Sequence, residues 1–397
     1  MGASPLIVFS HLRWNFVFQR PQHVISRLAR RRDVVFVEEP IFEEGEPRLE
    51  IIAVAPRVSV AHIHLPIPGP AFGLDQEASI VPLLAEHIAR KGWTTFGAWL
   101  YTPMAVRIAL ALGPKEIIYD CMDELSAFLG APPELLDREQ VLLDLAGAVF
   151  TGGPSLHRAK RDRHPGVYCF PSSVEVEHFA NPSMPEPREQ SLLNRPRLGF
   201  FGVIDERIDL AILAQLARSH PEWQIMMIGP IARIGPGSLP RSANLHYLGQ
   251  RRYTELPAYL AGWNVCLIPY VIGPATRFIN PTNALEYMAA GRPVVTTPIH
   301  DVVEPYGDIV FAASGPEGFV AACERAMRSS ESDLAPRNYR AQRVLQRISW
   351  DRTVEAMDLI LSKLLDRRST AALTQHAMFD FDRMIPSPTP SLGEARA

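Results

Sequence analysis

Short runs of β-branched and aromatic residues without regular polar alternation recur at residues 6–9, 34–37, 51–54, 116–119 and 148–151, and helical stretches lie between many of them. Strands that are apolar on both faces belong to a parallel sheet covered on both sides. The pattern restarts at 198–201 and continues at 224–228, 265–268, 294–296 and 309–312. The chain is therefore predicted to be α/β, with two Rossmann-like doubly wound domains facing a central cleft. The first domain covers residues 1–178 and the second 197–349. Between them a linker at 179–196 ends the stretch 171–196, whose five prolines and polar residues resist a helix or a strand. A helix over 350–366 carries an apolar stripe of Val354, Met357, Leu361 and Leu364, which must be buried. The segment 367–397 is rich in Ser, Thr and Pro and is predicted to be largely disordered.

Composition narrows the class more than it defines it. The 397 residues are 47% hydrophobic and 21% charged, with a net charge of -3, as in an ordinary folded protein. The 40 basic and 43 acidic residues leave no overall electrostatic footprint for nucleic acid. Four scattered cysteines without Cys-x-x-Cys argue against a disulfide framework or a zinc site, and a reducing cytoplasm is the simplest home. No signal peptide is expected, because the first residues lack a basic region and enter a strand by Leu6. The uncharged stretch 256–276 contains three prolines and reads as helix, strand and loop, not as a membrane span. The turn after the first strand, Ser10-His11-Leu12-Arg13-Trp14, has no glycine, and Glu38 and Glu39 therefore have no dinucleotide fingerprint to serve. A Walker A motif is missing as well.

The most informative segment is 277–295, a loop, a helix and a strand. Asn280 suits an N-cap and Pro281 a first helical residue, which would leave the amides of Thr282 and Asn283 free at a helix N-terminus that welcomes an anion. Glu286 shares a helical face with Thr282 and Asn283, and a carboxylate one turn behind a phosphate site suits a ribose diol. Gly291 ends the helix and Pro293 opens the next strand.

With Glu286, Gly291, Pro293, Val294 and Val295, this segment resembles the retaining GT-B glycosyltransferases of family four, which carry Glu-x-x-x-x-Gly-x-Pro-Val-Val. The segments 10–23, 36–40 and 119–125 resemble a bacterial branch of surface-polysaccharide and teichuronic acid type transferases. Weaker matches at 200–205, 227–230 and 247–257 extend the resemblance to about residue 365. It implies that Glu286 binds the donor ribose and that Gly202, Arg277, Asn280, Thr282 and Asn283 complete a nucleotide-sugar site. Two positions depart from the family: Phe278 replaces a glutamate that contacts the transferred sugar, and Asn283 replaces a lysine, leaving Arg207 or Arg277 to supply phosphate charge. The resemblance also implies that the helix over 350–366 crosses back to the N-terminal domain. Packing on its own domain is the plainer alternative.

The reading that follows is a glycosyltransferase moving a sugar with retention from a nucleotide diphosphate sugar to a glycan or lipid-linked acceptor. Helix dipole and basic side chains would stabilise the leaving diphosphate, with no metal or other cofactor. Arg207 is the candidate at the diphosphate. His11 and Asp123, each following a strand at its carboxyl edge, are candidates for the acceptor. The alternatives are a non-hydrolysing nucleotide-sugar epimerase or a catalytically silent sugar-nucleotide-binding subunit. His62 and His64 alternate on one strand face without a third ligand nearby, and Asp380-Phe381-Asp382 has no strand to hold it. Finally, Arg20, Arg27, Arg30, Arg31 and Arg32 give one helix a basic face suited to an anionic membrane surface at the inner side of the cell, and 157–163 is a second basic run.

Overall fold

The computed structural model describes residues 3–180 and 184–365. Nine strands form the first sheet: β1 (Leu6–Phe9), β2 (Val34–Val37), β3 (Ile41–Phe42), β4 (Arg48–Ala55), β5 (Val58–Leu65), β6 (Gly97–Leu100), β7 (Glu116–Cys121), β8 (Ala148–Thr151) and β9 (Val167–Cys169). Six form the second: β10 (Arg197–Phe201), β11 (Gln224–Ile228), β12 (Leu245–Gly249), β13 (Val265–Ile268), β14 (Val294–Thr296) and β15 (Phe311–Ala312). The spatial orders are β3-β5-β2-β1-β6-β7-β8-β9, with β4 paired to β5, and β12-β11-β10-β13-β14-β15. Every pairing is parallel except β4 with β5. In each sheet the first strand stands between strands reached in opposite directions, which is the switch point where doubly wound sheets bind ligands. These are the two Rossmann-like domains of a GT-B architecture.

The structure corrects the sequence reading in several places. The run 51–54 lies in β4, an antiparallel and largely exposed strand, because a turn at Arg57, φ 62°, folds it back on β5. β6 escaped the pattern because it begins at Gly97, where an added Cβ would meet Leu6 at 2.9 Å and Leu365 at 3.1 Å. The proline-rich stretch is not irregular throughout: Val176–Phe179 and Arg188–Ser191 are short helices. Phe179 enters the core of the second domain, and Gln190 donates to the Tyr259 carbonyl and accepts from Trp263 Nε1.

The helix Trp350–Leu365 packs on the first sheet. Trp350, Val354, Met357, Leu361 and Leu365 are buried with Leu6, Val8, Trp99 and Phe150, and the Trp350 ring stacks on His23 at 4.6 Å. The same contact accounts for the basic helix, Arg20–Leu28 and the residues after it. Arg27 and Arg30 bond Asp351, while Arg31 and Arg32 bond Asp358. Arg20 is buried against Asp120 at 2.8 Å. The run of arginines expected to face an anionic membrane is thus paired in part within the protein: Asp351 and Asp358 serve four of them, and Arg30 and Arg31 stay exposed. The second basic run behaves alike, with Lys160 buried between Glu124 and Glu139 and Arg158 paired to Glu304. The segment 367–397, with Asp380 and Asp382, lies outside the described residues.

Candidate active site

The loops after β1 and β10 meet over a cavity between the sheets. Val17, Phe18, Gln19, Arg20 and Asp123 line it from the first domain, and Gly202, Arg207, Asn280, Thr282, Asn283 and Glu286 from the second. Gly202 has φ +146°, and its carbonyl lies where a Cβ on Gly229 would fall, so this pair of glycines lets two strand ends approach. The cavity measures about 150 Å³, below the roughly 300–1,000 Å³ of an ordinary small-molecule pocket.

The helix behind the cavity runs Thr282–Ala289, one residue later at its start than the sequence suggested. Pro281 occupies the N-cap and has no side-chain acceptor, so none caps this helix. Asn280 is spent elsewhere: its Oδ1 accepts from Ser172 N at 2.8 Å and its carbonyl from Ser172 Oγ at 2.6 Å. The first helical amides consequently face the cavity without a carboxylate or hydroxyl of their own. The Tyr287 hydroxyl accepts from Phe201 N at 3.0 Å and fixes the helix to the end of β10.

Glu286 is 6% exposed. Burial, with the neighbouring Glu175 adding to it, raises its carboxyl to about 8. Asn283 donates to the Phe201 carbonyl at 3.3 Å, while its own Oδ1 is buried without a partner among the described residues. Arg207 binds Asp205 through Nε at 2.9 Å and Nη2 at 2.7 Å, and its guanidinium stands 5.3 Å from the Phe128 ring of the other domain. Burial lifts Asp123 to about 6 against the pull of Arg207. His11, just after β1, is lowered to about 4 by burial and by Arg233, and its Nδ1 has no hydrogen-bond partner among the described residues.

Most of the expected residues therefore converge, but two do not. Arg277 is exposed, lies over the Phe278 ring at 5.1 Å and is not part of the cavity wall. His11 stands beside the cavity, not in its lining. Phe278 packs against the core of the first domain. His62 and His64 face Glu38, Glu43 and Glu50. Sequence reasoning missed Arg20, which holds the Phe170 carbonyl at 2.6 Å beside its Asp120 pair. It also set Glu38 aside with the dinucleotide motif, although Glu38 accepts from Trp14 N at 2.6 Å and Arg13 at 3.0 Å and so shapes the loop after β1. Only the position of Glu38 at a switch-point strand end pointed to it.

Two largely parallel, doubly wound sheets with a helix N-terminus in the cleft between them have the GT-B fold. Sucrose-phosphate synthase from Thermosynechococcus elongatus has a similar fold, with a TM-score of 0.70 at 15% identity over 91% of this chain and 99% of that one. A trehalose-6-phosphate structure from E. coli bound with UDP-2-fluoro glucose is similar at TM-score 0.66 and 14% identity, over 91% and 99%. An α,α-trehalose-phosphate synthase from Burkholderia xenovorans in complex with glucose-6-phosphate gives 0.66 at 13%, over 91% and 100%. Residues 195–329, which take in most of the second domain, match the family described as Glycosyl transferases group 1. The chain is also 27% identical over 238 residues to TuaH of Bacillus subtilis (strain 168), described as a teichuronic acid biosynthesis glycosyltransferase. That match takes in 53% of this chain and 58% of the relative.

Proposed function

We propose that the protein transfers a hexosyl group, with retention, from a nucleotide diphosphate sugar to a glycan or lipid-linked acceptor in the making of a bacterial surface polysaccharide. The observation that carries this reading is an uncapped helix N-terminus at Thr282 that shares one cavity with the buried Glu286 and with Arg207. Amides and a guanidinium can hold a diphosphate and the charge that grows on it as the glycosidic bond breaks. Glu286, one turn further in, would accept the ribose hydroxyls. The polysaccharide context rests on the likeness to TuaH.

The acceptor belongs to the first domain on this reading. Asp123, ionised for the most part at neutral pH, would accept the hydrogen bond of the attacking hydroxyl, and neutral His11 would stand beside it. No protein nucleophile is needed. No metal is invoked: the helix N-terminus and Arg207 would carry the charge of the leaving diphosphate.

Isothermal calorimetry tests the donor site. Glu286→Ala should weaken binding of the nucleotide sugar selected by a thermal-shift screen by about 1–3 kcal/mol, the scale of a charged hydrogen bond. Unchanged affinity in a folded variant refutes the assignment.

A further inference from the structure

One contact across the cleft is used by neither the donor helix amides nor the acceptor edge. Gly153 is the N-cap of the helix Pro154–Lys160, and it brings no side chain to bond the first amides. Asp301, from the helix His300–Tyr306 of the other domain, takes that role. Ser155 N donates to its Oδ1 at 3.1 Å and to its Oδ2 at 3.3 Å. The residue is 1% exposed.

The fit extends to the backbone that receives it. A Cβ on Gly153 would overlap Asp301 Oδ2 and come within 2.9 Å of Asn280 Cβ. Asn280 continues the contact, donating through Nδ2 to the Asp301 carbonyl at 3.4 Å while both its side chain and its carbonyl accept from Ser172. The next residues are Pro281 and the first turn of the donor helix. Further out, Arg158 bonds Glu304 at 3.1 Å, an exposed pair of little energetic weight.

We propose that Asp301 is a positioning residue that latches the two domains: it caps a helix of the first domain from the second and, through Asn280, sets the donor helix against the acceptor edge. This rests on the transfer reading given above for its role in catalysis, but the latch itself is a matter of domain contact. The cavity lies between the two domains, so the donor enters with the domains apart, and the latch holds them together over it. The cap is local and does not involve the helix Trp350–Leu365, which packs on the first sheet.

Losing an N-cap carboxylate shifts an equilibrium by about 2- to 30-fold, and Asn caps as well as Asp. Small-angle X-ray scattering of the ligand-free full chain should therefore show Asp301→Ala and Gly153→Ala wider than the native protein, and Asp301→Asn as compact. Gly153→Ala combined with Asp301→Ala should be no wider than either alone, because both remove one contact. Calorimetry with UDP-, GDP- and dTDP-glucose should find the binding partner weakened by about 2- to 30-fold in Asp301→Ala and restored in Asp301→Asn. Thermal unfolding confirms that each variant is folded, and Gly153→Ala and Asp301→Asn carry the comparison if Asp301→Ala is not. Compact Asp301→Ala and Gly153→Ala variants, or failure of Asn to restore closure, overturn the latch. If scattering responds as expected but the native chain binds no sugar nucleotide, the latch stands and the transfer reading falls.

Discussion

Glu286 should cost the unliganded protein stability, and the cost should depend on pH. Its carboxyl is raised from an ordinary 4.5 to about 8 by burial. Between those values the unfolded chain has lost the proton that the folded one keeps, so stability falls as pH rises through that window and levels off above it. At about 1.4 kcal/mol per unit, keeping the group protonated at pH 7 costs on the order of 3 kcal/mol. Glu286→Gln keeps the shape and cannot ionise. It should be more stable than the native chain by up to about 3 kcal/mol near pH 7 and nearly equal to it near pH 4.5. Urea unfolding of both proteins from pH 4.5 to 8, followed by the fluorescence of the tryptophans of the second domain, measures the difference. A gap between the two that does not grow with pH refutes the argument. On the proposed function such a residue is retained for binding: ribose hydroxyls donating to it would favour its ionised form.

Other consequences follow from the packing. Met357, fully buried between the closing helix and the first sheet, should cost about 2–5 kcal/mol on replacement by Ala, read by chemical denaturation; a change under 1 kcal/mol would contradict that burial. Lys160→Met removes the buried cation from Glu139, leaving it Tyr119 and Arg163, and should destabilise by about 1–3 kcal/mol, visible as a lower Tm. EDTA should leave sugar transfer intact, and loss restored by manganese or magnesium would reject the metal-free reading. Binding to anionic vesicles should be weak, because Arg27, Arg30, Arg31 and Arg32 are engaged by Asp351 and Asp358; flotation with phosphatidylserine vesicles at low salt checks it.

Local sequence determined the strands that are apolar on both faces and the order of elements around them, because burial on two sides needs unbroken runs such as 34–37 and 265–268. It determined the helix Thr282–Ala289 as well, since Gly291 and the spacing of Thr282, Asn283 and Glu286 are properties of one segment. Tertiary structure decided whatever depends on partners far along the chain. Asn280 reads as a cap in isolation, but Ser172, 108 positions away, offers its side chain and carbonyl other partners. The arginines of the first helix read as a solvent or membrane face until Asp351 and Asp358 arrive more than 320 residues later. Glycines 97 and 153 look like strand or loop breakers, yet each is required by a side chain from a distant helix, Leu365 and Asp301. Periodicity records how a segment meets the bulk of the core, whereas these identities are set by single atoms whose neighbours exist only once the two domains have closed.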